Sequence, residues 1–338
     1  MRKSIVTILS LVTLASCSSD ITVKAPAPAP ISFENSFVEV KTRAAEDPSI
    51  TTKTIDAFDV WGYMDDPSGL LFDGTRVTKG NDGKWTYEDL QYWAPDHNYV
   101  FFAVAPVDNK DIVINKDMNV DGLGTINFTN KDGSVDLLYA SKSESTYNED
   151  VVANGHETVK LQFAHLLSKI KFTFTNGFPE GSSSLKIKNI TISEAPSEGT
   201  VTLNTAECTW KISNCNATLA FGDINGGKAL KPADFSECDF ERLTIPADAN
   251  VRYKIEFDAI LYYGDNEAMN SHKTIYLEDQ AFVMGKNYNI NATITARNIT
   301  DEALQPIIFE VVAVEDWVDG KNTGKIDYNN NEGEGLNQ

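Results

Sequence analysis

The sequence predicts an all-β protein built as two β-sandwich domains in tandem. Three observations carry that expectation. After position 30, apolar residues alternate with polar ones at period two. Turn signals separate these runs at short, near-regular intervals. No segment keeps a helical apolar period for longer than about two turns. Many short strands with frequent turns argue for sandwiches, and 338 residues are enough for two domains.

The clearest strand spans Val251 to Leu261. Val251, Tyr253, Ile255, Phe257, Ala259 and Leu261 face one way, and Arg252, Lys254, Glu256, Asp258 and Ile260 face the other. That is the pattern of a half-buried antiparallel strand. Tyr288, Ile290, Ala292, Ile294 and Ala296 repeat it, as do Leu161 with Phe163, and Ile170, Phe172 and Phe174. The parity shifts between Leu185-x-Ile187 and Ile190-x-Ile192, which predicts a bulge near Lys188-Asn189. Tyr99 to Ala105 and Ile307 to Val314 are apolar on both faces and predict strands buried on both sides, or strands covered by a neighbouring element. Turns are expected at Asp66-Pro67-Ser68-Gly69, Asn81-Asp82-Gly83, Lys131-Asp132-Gly133 and Gly226-Gly227. Ala229 to Cys238 suggests one short turn of helix. The polar, Gly-containing stretch 148–158 separates two strongly patterned regions. It places an N-terminal sandwich at 44–157 and a C-terminal one at 158–318. The Gly- and Asn-rich residues 319–338 read as a flexible tail.

The first residues read as an export signal, 1–17. Arg2 and Lys3 form a positive start, and Ile5 to Leu14 form an apolar run too short to span a bilayer, which takes roughly 20 residues. Leu14-Ala15-Ser16-Cys17 then resembles a bacterial lipobox, which predicts acylation at Cys17 and membrane contact through lipid alone. The alternative is an ordinary secretory signal with an incidental cysteine. Within residues 18–43, which follow, Ser18-Ser19-Asp20 and the alternating run Ala25 to Pro30 read as a tether, a semi-rigid extended spacer.

The formal charge is −20. Without Arg2 and Lys3 the 29 basic residues become 27 against 49 acidic ones, a charge of −22. Such a chain lacks the basic footprint of a nucleic-acid binder. With Cys17 acylated, Cys208, Cys215 and Cys238 remain. Cys208 and Cys215 are near enough in sequence to pair if their strands form a hairpin. No GxGxxG, GxSxG, Walker loop or HExxH occurs, and the four histidines show no metal spacing, so neither an enzyme nor a cofactor is expected. His165, among apolar neighbours, reads as a packing residue. Asp117 to Gly122 matches the start of a calcium loop, but Phe128 stands where the closing glutamate belongs, and a turn is the better reading. Trp61, Trp85, Trp93, Trp210 and Trp317 are read as core residues, with a sugar-stacking platform as the alternative.

A succession of segments carries a family resemblance. After the lipobox come Ile31-Ser32-Phe33, Phe37-Val38-Glu39-Val40 and Lys41-Thr42-Arg43-Ala44. Phe58 to Tyr63, Leu71-Phe72, Trp85-Thr86-Tyr87, Tyr92-Trp93 and Tyr99 to Pro106 follow. Asp136 to Ala140, Leu161 to Ile170, Val311 to Val314 and Trp317 complete it. In order and spacing this resembles the fimbrillins, subunits of type V pili on Gram-negative outer membranes. The resemblance implies two tandem transthyretin-like β-sandwich domains and export as a lipoprotein. It also implies removal of the first strand by an arginine-specific protease, and a groove that then accepts a strand from the next subunit. By position, cleavage falls at Arg43-Ala44. The displaced strand runs from Ile31 to Val40 and brings Phe33, Phe37, Val38 and Val40. The donor is expected within Ile307 to Val314, through Ile307, Phe309 and Val311. Anchor-type members keep their lipid uncut. The partners implied are other pilus subunits, together with a host or bacterial surface ligand for an adhesin. The competing expectation is a glycan-binding lipoprotein of the outer membrane.

Overall fold

The structure, a computed structural model, describes residues 29–35, 55–65, 69–119, 121–146, 158–181, 183–300 and 305–316. It is all-β, as expected. At its centre is a six-stranded antiparallel sheet of β2 (Ala57–Met64), β3 (Leu70–Lys79), β4 (Trp85–Thr86), β5 (Asn98–Ala105), β8 (Leu138–Ser145) and β10 (Ala164–His165). The spatial order is β10-β8-β5-β2-β3-β4. One face is covered by β1 (Phe33–Asn35) and β9 (Val159–Leu161), a short parallel pair. The other is covered by a four-stranded sheet of β6 (Ile112–Asn119), β7 (Gly122–Thr129), β13 (Glu198–Asn204) and β14 (Thr209–Asn214), ordered β14-β13-β7-β6.

This layering explains the continuous apolar run of β5. Tyr99, Phe101, Ala103 and Ala105 enter the core beneath β1, while Val100, Phe102 and Val104 enter the core shared with the four-stranded sheet. Both faces of the strand are buried, so neither alternates with polar residues.

A second pair of sheets encloses a third apolar core. One sheet holds β11 (Ser168–Asn176), β16 (Phe235–Glu237), β17 (Arg242–Thr244), β20 (Lys286–Ile294) and β21 (Glu310–Asp316). The other holds β12 (Ser184–Ala195), β15 (Ala217–Gly222), β18 (Tyr253–Tyr263) and β19 (Asn266–Leu277). A four-residue helix, α1 (Ala296–Ile299), carries a capping box between Thr295 and Asn298.

The alternating strands stand where the periodicity puts them. Tyr253, Ile255, Phe257, Ala259 and Leu261 are buried along β18, and Ile170, Phe172 and Phe174 along β11. The register of β12 against β18 shifts between Lys188 and Thr191, and Asn189 takes a φ of 56°, so the bulge lies where the parity changed. Four expectations are corrected. Ile260, placed outward, is 8% exposed. Ile307 to Val314 is not covered on both sides: β21 is an edge strand paired to β20, and Ile308 (80%) and Val312 (41%) are exposed. Ala229 to Cys238 contains β16 rather than a helical turn, because Phe235, Ser236 and Glu237 pair with Thr175, Phe174 and Thr173. Cys208 and Cys215 are free thiols that flank the single strand β14, not facing strands. At about 3.3 Å per extended residue they stand roughly 20 Å apart, far beyond disulfide reach.

Strand pairing also runs across position 157. β9 pairs with β1, β10 with β8, and β13 with β7.

Candidate functional site

Residues 29–35 lie extended over the six-stranded sheet, and their alternation decides what they bury. Ile31 (1% exposed) and Phe33 (4%) point into the core, while Glu34 stays in solvent. The Phe33 ring meets four others edge-on, at centroid distances of 5.3 Å to Phe72, 5.7 Å to Tyr87, 5.7 Å to Phe101 and 6.2 Å to Phe58. These lie within the favourable range for aromatic pairs, roughly 4.5–7 Å.

The backbone of this segment is held from two sides. On one side the Trp93 N–H donates to the Ala29 carbonyl at 3.1 Å, and the Ile31 N–H donates to the Gln91 carbonyl at 2.8 Å. On the other, the Val159 N–H donates to the Ser32 carbonyl at 2.8 Å. The parallel register there sets Phe33 beside Val159, Glu34 beside Lys160 and Asn35 beside Leu161. Tyr87 adds a side-chain clamp. Its hydroxyl donates to the Ile31 carbonyl at 2.6 Å and accepts from the Gln91 N–H at 3.3 Å. Burial pushes the Tyr87 hydroxyl above its ordinary pKa, which keeps it a neutral donor. Trp93 anchors the 87–93 loop from below, edge-on to Tyr99 at 4.7 Å, and the Tyr99 hydroxyl accepts from the Ala94 N–H at 2.8 Å.

The arrangement is a seam filled by one extended segment: apolar side chains at alternate positions, and backbone bonds along both edges. Those are the elements of β-strand addition. Among the described residues no group of three or more His, Cys, Asp or Glu side chains is placed to hold a metal ion. His165 packs in the core with Nδ1 2.9 Å from Asp136. Asp117, Met118 and Asn119 close β6, and Gly122 opens β7.

Of the residues expected to be displaced, Phe33 lies in the groove. Phe37, Val38, Val40, Cys17, Arg43 and Ala44 lie outside the described residues. The expected donor residues sit in a different core. Ile307 is buried there, and Phe309 is half-buried, edge-on to Phe172 (6.1 Å), Phe174 (6.2 Å) and Phe257 (6.5 Å). Val311 packs beside them, paired with Ile290 on β20. Trp61 and Trp93 are buried, and Trp85 and Trp210 half-buried against the two cores of the six-stranded sheet, as expected; Trp317 lies outside the described residues. Sequence reasoning missed Tyr87, Gln91, Trp93, Val159 and Leu161 as partners of the first segment. The alternation Val159-x-Leu161-x-Phe163 was a visible signal that this stretch faces a core.

Comparison with known proteins bears on this geometry. The profile of a family described as fimbrillin-like matches residues 42–317. Comparison with curated proteins gives no match. Among solved structures, a fimbrial protein from Bacteroides vulgatus is similar, with 16% identity and a TM-score of 0.59, covering 85% of this chain and 99% of that one. A candidate cell-adhesion protein from Bacteroides ovatus is 17% identical with a TM-score of 0.48, covering 87% of this chain and 99% of that one.

Proposed function

This chain belongs to the fimbrillin-like family, and on that premise we propose that it is a structural or adhesive subunit of a cell-surface pilus, matured by proteolysis and assembled by strand donation. In this reading the chain is exported as a lipoprotein through Cys17 and reaches the outer membrane and the fimbrium. Cleavage at Arg43-Ala44 then frees the segment that contains Ile31 and Phe33. Contact with the membrane is through lipid. Among the described residues no helix is long and apolar enough to cross a bilayer.

The observation that carries this reading is the seating of β1. Taking it away strips one face from Phe58, Phe72, Tyr87 and Phe101. Removing the whole of residues 29–35 also takes away Ala29 and Ser32 as acceptors for the Trp93 and Val159 N–H groups, Ile31 as the donor to the Gln91 carbonyl, and the Ile31 carbonyl that the Tyr87 hydroxyl donates to. Unpaired backbone beside an apolar seam is a template for another strand. The donor we assign is the segment of Ile307, Phe309 and Val311 from a neighbouring subunit. Within its own chain that segment runs along a sheet edge: from Glu310 on it pairs with β20 alone among the described strands, and before that it is held by the Gln305 N–H to the Arg297 carbonyl at 2.8 Å and by the Asn298 side chain. The described tryptophans are buried or half-buried, which favours this reading over a sugar-stacking platform.

The test is the mature N-terminus of surface material, by mass spectrometry. Chains beginning at Ala44 support the reading. Chains beginning at acylated Cys17, with Arg43-Ala44 intact, would refute cleavage and leave a lipid-retaining subunit.

A further inference from the structure

We propose that the groove reads its donor strand in one parallel register, and that Lys160 selects it by charge from the Ile307–Glu310 segment of a second copy of this chain. The inference rests on the strand-donation reading and adds to it the identity and register of the strand.

The resident segment reads Ile31-Ser32-Phe33-Glu34. The segment before β21 reads Ile307-Ile308-Phe309-Glu310. Both run Ile, any residue, Phe, Glu, and both seat these residues alike. Ile31 and Ile307 are buried, Phe33 and Phe309 pack against clusters of rings, and Glu34 and Glu310 are exposed. The 305–316 segment therefore carries the side-chain sequence that the groove already holds.

Apolar alternation alone does not define the register. A slip of one residue one way would push Ile308 and Glu310 into the pockets of Ile31 and Phe33, and a buried carboxylate excludes it. A slip of one the other way would set Pro306 at the Ile31 position, where it has no N–H for the Gln91 carbonyl that Ile31 now satisfies. Slips of two keep the parity: Phe309 and Val311, or Gln305 and Ile307, would occupy the pockets. The exposed position after the Phe33 pocket separates these registers. There Glu34 stands beside Lys160, two exposed side chains on adjacent parallel strands. In the matching register Glu310 takes that place. The two slipped registers set Val312 or Ile308 beside Lys160 instead and forfeit the opposite-charge pair.

The test uses the full chain with a site-specific protease sequence inserted after Arg43, cut while folded. A fluorescent peptide of residues 305–316 is titrated against it by anisotropy, with the uncut chain as the filled-groove control. Wild type and Lys160→Glu are each combined with the natural peptide and its Glu310→Lys form. The expected result is that each single reversal weakens binding roughly two- to five-fold, the range for a cross-strand charge pair, and that the double reversal restores it. Equal binding in all four combinations, or no restoration, would overturn the charge-selected register while leaving strand donation in place. No binding of any peptide to the cut chain would remove strand donation by this segment, and the register proposal with it.

Discussion

Phe33→Ala in the uncut chain tests whether the first segment is part of the core or merely lies on it. Phe33 is 4% exposed and its ring has four aromatic partners within 6.2 Å. Truncating a buried phenylalanine to alanine costs about 3–5 kcal/mol, transfer and cavity together. The low end, about 3 kcal/mol, applies here, because a short segment can detach locally and so caps the loss that global unfolding registers. Exposed Glu34, one residue on, serves as the control: Glu34→Ala should stay within about 0.5 kcal/mol. Urea unfolding of both variants reads the difference. Hydrogen exchange at Val159, whose N–H bonds the Ser32 carbonyl at 2.8 Å, reads local detachment. A Phe33→Ala variant within about 1 kcal/mol of wild type, with Val159 exchange unchanged, would refute the argument that this ring holds the segment in its groove.

Three further outcomes follow from the same geometry. Tyr87→Phe removes the clamp on the Ile31 carbonyl and should cost about 1–2 kcal/mol by urea unfolding, with faster exchange at the Gln91 amide. Gly62→Ala would set a new Cβ 2.5 Å from Phe72 Cδ2 and 3.2 Å from Phe101 Cδ1, two walls of the Phe33 pocket, and overpacking should cost about 1–3 kcal/mol in the same assay. His272 has its pKa raised above 6.5, first by its hydrogen bond to Asp258 at 2.8 Å. Its contribution is therefore fully present below the unfolded value near 6.5 and is lost as pH rises through the folded one. Stability should fall slightly on that upward limb, and His272→Asn should flatten it. The effect is small because the side chain is 60% exposed.

The sequence displayed faces better than neighbours. Strands β11, β18 and β20 were legible because one side of each is core and the other solvent, which writes period two into the chain. β5 was legible for the opposite reason, since both of its sides are covered. The β12 bulge showed as a change of parity at Lys188-Asn189. The placement of β13 beside β7, with β14 on its far side, was not legible, because alternation reports what a strand faces and not which strand lies beside it. The parallel pairing of β1 with β9 spans three residues, too short to carry a period. Tyr87 gave no signal because its bond to Ile31 joins residues 56 apart in the chain. Ile308 and Val312 misled for a simpler reason: apolar letters on an edge strand look the same whether or not anything covers them.

The topology separates what β1 contributes to the core from what holds the sheet together. The six-stranded ladder runs β10-β8-β5-β2-β3-β4 and contains no rung from residues 29–35: β1 pairs with β9, and Ala29 and Ile31 before it bond the loop at 91–93. Losing the segment uncovers rings but breaks no hydrogen bond within the six-stranded sheet. A groove that must wait for a new strand needs this property, because it has to keep its shape while empty. In the chain cut after Arg43, amide exchange should therefore accelerate at Trp93 and Val159, whose acceptors lie on Ala29 and Ser32. Val60 and Ala103, paired across β2 and β5, should keep their protection. If the β2–β5 amides exchanged as fast as Val159, the first segment would be integral to the sheet. No preformed groove would then survive its departure, and assembly by strand donation at this site would be refuted.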